Sequence, residues 1–351
     1  MCTTGQPRDQ GSLYDSTVGH RADLYSLVEP FVRSRRPRAV AELLETFIPY
    51  VVLNVVMVLM VGRGHPVVAL ALTLPAAAFL VRVFIVFHDC CHGSFFRSRR
   101  ANRITGYVAG MLTLTPYDRW QREHAAHHAT VGDLDRRGVG DVWTLTTTEY
   151  QAATKGRRLF YRVFRHPFIM FGIGPALLFL IGYRFSSSGH GRRERFSVYF
   201  TNAGIVAAFL VAYLTIGLPT LLLIQLPTLL LAGAAGVWLF YVQHQFDDVY
   251  WARHEAWDPM KAALEGSSYY QLPKVLQWLT GSIGLHHIHH VQPRIPFYNL
   301  QRCQDTIPAF QAVPPLTLRR SLHSLRLRFL DETGRRMVTL AAVETGRAAA
   351  R

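Results

Sequence analysis

Long apolar runs alternate along the chain with polar stretches that are rich in arginine. Four of these runs, at about 43–61, 66–87, 198–217 and 218–242, are close to the length that a helix needs to cross a hydrocarbon core of about 30 Å. Each pair of runs is joined by a very short link, which predicts two helical hairpins. The pattern therefore predicts an all-α integral membrane protein with four transmembrane helices, whose polar stretches form a helical cap.

A fifth apolar run, Pro167–Tyr183, is shorter than the others and is interrupted by Pro175. Basic residues flank it on both sides, at Arg165 and Arg184, so we expect both flanks to lie on the same side of the membrane. We predict that this run forms an interfacial or re-entrant helix and not a fifth crossing.

The basic stretch Arg33–Arg38 precedes the first apolar run and predicts a cytosolic N-terminus. With four crossings, both termini and the cap are then cytosolic. We expect a cytosolic N-terminal segment at 1–42, a membrane domain at 43–313 and a cytosolic C-terminal tail at 314–351. The first 40 residues contain no apolar core of a cleavable signal peptide, so the first apolar run is expected to direct insertion.

Hydrophobic residues make up 50% of the 351 residues, and the net charge is +15, carried mainly by arginine. This excess of positive charge suggests either nucleic-acid binding or contact with anionic lipid headgroups. The basic residues flank apolar runs and form no nucleic-acid-binding module, which favours membrane lipids and argues against nucleic acid as a partner. The four cysteines lack the spacing of a disulfide framework, which fits a reducing environment.

Three clusters contain most of the histidines: HDCCH at 88–92, HAAHH at 124–128 and HHIHH at 286–290. Their spacing of i, i+3 and i+4 predicts three helical faces that present two, three and three imidazoles. His244 follows the last apolar run and adds a ninth. With four crossings, all of these histidines face the same compartment.

Neutral imidazole is a ligand suited to iron, zinc, copper and nickel. Eight or nine imidazoles are more than one ion can coordinate, so their number predicts two metal ions. A structural zinc site would draw on cysteine and close at four ligands. Two irons with open positions for O₂ explain the number best. The isolated histidines are predicted to be polar residues without a metal role: His20, His65, His166, His190, His254 and His323.

The order and spacing of the clusters around four spans resemble the membrane fatty acid desaturase family. Within it, the chain is most similar to acyl-lipid desaturases of the Δ12 (omega-6) kind, as found in bacteria and plants. The resemblance covers about Leu24 to Asp331 and rests on HDCCH, REHAAHH, YVQHQFDD, EGSSYYQLPKVLQWLTGSIGLHHIHH and PRIPFYNL.

The resemblance implies a dinuclear iron centre at the cytosolic face of a bacterial inner membrane, with no catalytic residue separate from the metal ligands. By helical geometry His287 points away from its neighbours, so it is left out of the ligand set. Cys90 and Cys91 fill the variable middle of the first cluster. The candidates for orienting the imidazole N–H groups are Asp89, Asp247 and Asp248. For each of them, an exposed position in contact with solvent is an equal alternative. The implied ligands are His88, His92, His124, His127, His128, His244, His286, His289 and His290.

The implied reaction is the O₂-dependent insertion of a cis double bond into a fatty acyl chain, carried by a lipid or by an acyl carrier. Each turnover needs two electrons from outside. The sequence contains no haem domain, flavin or nicotinamide fingerprint, or iron–sulfur cysteine cluster, so a separate electron donor such as a ferredoxin-like protein is implied.

Three other functions are weighed against this one. A related di-iron enzyme that hydroxylates a lipid or forms a ketone on it would carry the same clusters, and EGSSYYQLPKVLQW favours desaturation only by resemblance. A bis-histidine haem carrier would place single histidines inside opposing spans, and these spans are almost free of histidine. A metal transporter would carry ionisable residues at mid-membrane depth. Apart from Glu45 at the start of the first span, only Arg82 is a charged residue inside a span, and it lies near one end.

Overall fold

A computed structural model describes residues 21–345 of the chain. Residues 1–20 and 346–351, which belong to the predicted N-terminal segment and C-terminal tail, lie outside the described residues. Within these described residues, four helices are long and apolar enough to cross a membrane, and they cover the four predicted spans except for Gly217, which follows the third helix. They are α2 (Arg36–Gly62), α3 (Pro66–His92), α9 (Arg192–Ile216) and α10 (Leu218–His244). The prediction of a mainly helical fold with four such helices is confirmed.

The helix α3 is the innermost of the four. It packs against both α2 and α10, and 56% of its most apolar section is buried, compared with 6% for α9. The other three helices expose rows of large apolar side chains, which would be unfavourable in water and suit a lipid environment. Each of the helices α2, α3 and α10 contains a proline, which is common in membrane-spanning helices.

Two of the long helices extend past the predicted spans and carry histidines on their last turns. The helix α3 continues beyond Phe87 to His92 and ends at Gly93, which adopts φ 67° in the left-handed region that favours glycine. The helix α10 likewise continues to His244. Since 20 residues of helix are about 30 Å long, the final turn of α3 projects beyond the hydrocarbon core.

The remaining elements, except the fifth apolar run with its helix Gly174–Leu180, form a cap at this end of the bundle that contains short strands as well as helices. The remaining helices are α1 (Arg21–Val32), α4 (Arg99–Leu112), α5 (Tyr117–Thr130), α6 (Thr147–Ala152), α7 (Lys155–Phe164), α8 (Gly174–Leu180), α11 (Pro259–Leu264), α12 (Lys274–Leu279), α13 (His286–Val291), α14 (Phe297–Thr306), α15 (Pro308–Gln311), α16 (Leu318–Ser321) and α17 (Leu340–Glu344). The strands are β1 (Leu145–Thr146), β2 (Tyr269–Gln271), β3 (Pro315–Thr317), β4 (Leu327–Asp331) and β5 (Arg336–Thr339).

The part of the predicted C-terminal tail that the structure describes is folded onto the cap. The strand β4 lies between β1, to which it is parallel, and β5, to which it is antiparallel, with Leu145 opposite Phe329. The strand β2 pairs in parallel with β3. The buried Arg165 donates hydrogen bonds of 2.9 Å to the Leu327 carbonyl and to the Gln245 side chain, so it links this segment to the end of α10. The predicted division of the chain at 313 and 314 stays a prediction.

The fifth apolar run is broken into a π-helical turn (Ile169–Ile173), α8 and a 3₁₀ turn (Gly182–Arg184), and it is bent by 61° relative to α7. Such a bent pair is either a broken span or a re-entrant loop. Both of its ends contact the cap: Arg165 binds Gln245 before the run, and Arg119 of α5 donates to the Gly182 and Phe185 carbonyls after it. This placement favours the re-entrant alternative, as the flanking charges predict.

The contact between α4 and α5 depends on the absence of a side chain at Gly106. A Cβ atom there would overlap the ring of Tyr117, whose hydroxyl donates a 2.8 Å hydrogen bond to the Cys90 carbonyl at the end of α3. We expect Gly106→Ala to reduce the free energy of unfolding by about 1–3 kcal/mol through overpacking. Thermal unfolding in detergent would report this as a lower midpoint.

The matched control is Gly236→Ala in α10, where a Cβ atom would meet no atom within 4 Å. This change should leave the midpoint unchanged or raise it, since alanine is the better helix former. Equal midpoints for the two variants would contradict the assigned role of Gly106.

Candidate metal centre

The structure brings all nine histidines of the predicted ligand set together in two adjacent groups at the cap end of the helices. In each group, one nitrogen of every imidazole lies within 4.8 Å of those of the others. The five-histidine group consists of His88, His92, His124, His128 and His289. The four-histidine group consists of His127, His244, His286 and His290.

Each short cap helix contributes to both groups, and the division follows helical geometry. In α5, His124 and His128 belong to the five-histidine group and His127 to the other. Residues at i and i+4 differ in direction by only about 40°, whereas i+3 and i+4 differ by about 100°. The helix α13 repeats the pattern with the groups exchanged, since His286 and His290 share one group and His289 joins the other. The helix α3 supplies only the five-histidine group, and α10 only the four-histidine group.

Within the groups the imidazoles meet through their Nε2 atoms at close to 3 Å. In the five-histidine group the Nε2–Nε2 distance is 3.0 Å for His88 and His124 and 3.1 Å for His124 and His128. In the four-histidine group it is 3.1 Å for His127 and His244 and 3.0 Å for His244 and His286. Such contacts are either hydrogen bonds between rings or pairs of lone pairs directed at a common cation.

In the four-histidine group, the hydrogen-bond partners of the Nδ1 atoms decide between these two cases. The Nδ1 of His127 lies 2.6 Å from a carboxylate oxygen of Asp141, and that of His244 lies 3.1 Å from the Gly266 carbonyl oxygen. Both partners are acceptors, so each Nδ1 carries the proton and each neutral Nε2 presents a lone pair. Two lone pairs facing each other at 3.1 Å repel unless a cation lies between them, so this arrangement fits a metal ion.

Burial keeps the imidazoles in the neutral form that a metal requires. Loss of solvent lowers the pKa of five histidines in α5 and α13 well below the ordinary value, and their mutual proximity lowers the pKa further; these are His124, His128, His286, His289 and His290. In the same region, His92 Nε2 is buried and has no hydrogen-bond partner among residues 21–345. A buried polar atom without a partner is costly, and a metal bond would satisfy it.

The nitrogen spacing also bears on the kind of metal. With a metal–nitrogen bond of about 2.1 Å, neighbouring ligands lie about 3.0 Å apart at an angle of 90° and about 3.4 Å apart in a tetrahedron. The observed separations of 3.0 to 3.1 Å match the 90° arrangement. The donor set therefore suits a metal with more than four coordination positions better than a closed structural zinc site.

Asp141 is the residue near the centre that the sequence did not reveal. It follows α5 in a polar stretch, 13 or more positions beyond the histidines of that helix, and no periodic spacing relates it to them. Of the acidic residues considered from the sequence, Asp89 accepts from the Phe297 amide and lies 3.4 Å from His88 Nδ1. Asp247 faces His323 at 3.4 Å, and Asp248 is exposed.

His287 lies outside both groups, and so do the neighbouring residues Cys90 and Cys91 of the first cluster. The Nε2 of His287 is 3.1 Å from the side-chain oxygen of Gln304, so its ring is directed away from its neighbours, as helical geometry predicts. Cys90 is buried and lies close to Gly106. Aromatic rings surround the centre instead: Trp120 stacks on His124 at 4.2 Å between centroids, and Phe240 lies 5.2 Å from His127.

Comparison with known proteins identifies relatives over nearly the whole chain. A family model described as fatty acid desaturase matches residues 64–319, which include all nine histidines. A Bacillus subtilis protein named fatty acid desaturase is 45% identical over 331 residues, which are 94% of each chain. A Synechocystis sn-1 oleoyl-lipid 12-desaturase is 27% identical over 244 residues, 65% of each chain. A Synechocystis sn-1 acyl-lipid omega-3 desaturase (ferredoxin) is 28% identical over 240 residues, 64% of this chain and 63% of its own.

Proposed function

Since the chain belongs to the fatty acid desaturase family, and is therefore a membrane oxidoreductase, we propose that it is an O₂-dependent di-iron fatty acyl desaturase. We propose that it inserts a cis double bond into a lipid-linked acyl chain with Δ12/omega-6-like selectivity. The observation that carries the proposal is the convergence of nine imidazoles into two adjacent groups, in one of which His127 and His244 direct their Nε2 lone pairs towards each other. The names of both Synechocystis relatives support a lipid-linked substrate, and the name of the 12-desaturase supports the bond position.

The two groups are proposed to hold one iron each. The five-histidine group offers five imidazole nitrogens and the four-histidine group offers four, so positions remain open for O₂ in a six-coordinate site. When bound, iron supplies the O₂-dependent oxidation of an unactivated carbon–hydrogen bond, which side-chain acid–base chemistry cannot perform. The remaining work is done by the residues of this chain.

These residues orient the ligands and exclude water. Asp141 and the Gly266 carbonyl hold the protons of His127 and His244 on Nδ1, which directs both Nε2 lone pairs inward. Trp120 and Phe240 lie against ligand rings and add an apolar wall that limits solvent access. An acyl chain held beside this wall would have its methylene groups near the metals.

The reaction also needs partners. Removing two hydrogen atoms with one O₂ to form two waters requires two further electrons and two protons. We propose an external donor such as a ferredoxin-like protein, in line with the name of one Synechocystis relative. We further propose a bacterial inner membrane location with the metal centre and both termini in the cytosol, on the strength of Arg33–Arg38 before the first span.

Expression of the chain in a bacterium that lacks diunsaturated fatty acids tests the function directly. Gas chromatography and mass spectrometry of the total fatty acids should reveal a new cis double bond, and derivatisation should locate it. Cells that carry His124→Ala should show none, because one ligand of the five-histidine group is missing.

Two other results would count against desaturation. Hydroxy or keto acids in place of the double bond would favour the hydroxylase or ketolase alternative. Unchanged fatty acids, with the protein present in the membrane and a reduced ferredoxin supplied, would contradict the proposal.

A further inference from the structure

Four arginines line a solvent-open cavity at the cap end of α2, away from the metal ligands. The cavity has a volume of about 730 Å³ and is lined by Arg35, Arg36, Pro37, Arg38, Ala41 and Arg97. Arg97 comes from the loop after α3, and its Nε donates a 2.9 Å hydrogen bond to the Ser34 carbonyl. This bond holds the loop against the start of α2, so the two sides of the cavity are fixed relative to each other.

The charge of the cavity is only partly balanced by the protein. Arg38 pairs with Glu42 at 2.6 Å, and that carboxylate is shared with the buried Arg82. Among residues 21–345, no carboxylate lies within ion-pair distance of Arg35, Arg36 or Arg97. Of the nearby acids, Glu29 lines a neighbouring cavity that also includes Arg97, and Glu45 lies one turn beyond Ala41 and is exposed. The residues that line the cavity therefore carry an excess of positive charge, while the surface of the cavity itself is mainly apolar.

The cavity lies at the depth of lipid headgroups. The 20 residues from Leu43 to Gly62 are about 30 Å long as a helix, which matches the hydrocarbon core. Arg36 then lies about 10 Å outside that core, in or beside a headgroup layer about 5–8 Å thick. It is also one turn before Val40, which begins the exposed apolar row of α2 that continues through Leu44 and Ile48. A lipid packed along this row would bring its headgroup to Arg36.

We infer that this cavity binds the phosphate group of an anionic glycerophospholipid. Guanidinium groups pair with phosphate oxygens through two parallel hydrogen bonds, and basic pockets beside membrane helices are suited to anionic headgroups. The apolar row of α2 provides the surface for the acyl chains, which a free phosphate ion would not use. The lipid site does not depend on the metal centre, because none of its residues belongs to either histidine group.

Native mass spectrometry of the full-length protein in a non-ionic detergent tests this site, with dioleoylphosphatidylglycerol, dioleoylphosphatidylcholine and inorganic phosphate as probes. We expect one phosphatidylglycerol to be retained in preference to phosphatidylcholine. An arginine close to the lipid headgroup contributes about fivefold in affinity, so Arg36→Gln should weaken retention about fivefold and Arg36→Gln/Arg97→Gln about 25-fold. The single variant guards against a folding defect, since no described side-chain bond of Arg36 is lost.

The matched control is Arg99→Gln/Arg100→Gln, which removes the same charge from exposed positions that do not line the cavity. Its retention of phosphatidylglycerol should stay within about twofold of the unmodified protein, given that surface charges act weakly at a distance. An equal loss in the control would mean a diffuse basic surface and overturn the site. Equal retention of both lipids, or binding of inorganic phosphate without preference for phosphatidylglycerol, would also overturn it.

Discussion

Alanine at His286 should lower the iron content from about two to about one per chain and abolish desaturation, whereas alanine at His287 should leave both intact. The two residues are neighbours in α13 and both are buried. His286 Nε2 lies 3.0 Å from His244 Nε2 within the four-histidine group, while His287 is paired with Gln304. Loss of a residue that only orients a ligand lowers metal affinity or activity by roughly 10–100-fold. Loss of the ligand itself should have a larger effect.

The measurement is iron per folded chain, determined by mass spectrometry after size-exclusion chromatography, together with the fatty acids formed in cells. His287→Ala removes a buried ring and its hydrogen bond, so we expect a free energy of unfolding lower by about 2–4 kcal/mol with iron content unchanged. Two irons retained in His286→Ala, or equal iron loss in both variants, would contradict the assignment of the groups.

Replacing Asp141 with asparagine should weaken metal binding in the four-histidine group by about 10–100-fold while the fold is retained. The carboxylate accepts the Nδ1 proton of His127 at 2.6 Å and so keeps the lone pair on Nε2. An asparagine amide can donate instead, which favours the proton on Nε2 and removes the lone pair from the metal. Iron retained during dialysis against increasing chelator concentration would report the change.

The control for this prediction is Asp247→Asn. It makes the same chemical change at a carboxylate that faces His323 at 3.4 Å and lies outside both histidine groups. Its iron retention should match that of the unmodified protein. A chelator profile of Asp141→Asn that coincides with the control would mean that Asp141 does not orient His127.

The elements that the sequence predicted well are those governed by local rules. Bilayer thickness sets the length of an apolar helix, so the four spans followed from hydropathy together with the basic residues that flank the shorter fifth run. Helical periodicity placed the histidines of each cluster on one side of a helix and directed His287 away. The structure brings together all nine predicted histidines, including His244, which belongs to none of the three clusters.

Local spacing did not reveal how the clusters are divided between the two groups. His127 and His128 are adjacent in the sequence, yet they face different groups, because α5 meets the end of α3 through His124 and the end of α10 through His127. Likewise, Asp141 and the folded segment after residue 313 reach the cap through contacts distant in sequence, such as Leu145 with Phe329.

From the sequence alone we could predict the long apolar helices and a candidate set of nine histidines, because bilayer thickness and helical pitch act over short stretches of chain. The motifs around these histidines carried the resemblance to the family. The tertiary structure was needed to show which imidazoles lie in the same group, which carboxylate accepts the Nδ1 proton of His127 and where the arginines after residue 32 meet Arg97. These features depend on the angles and distances at which separate helices pack, and no local pattern of residues encodes those.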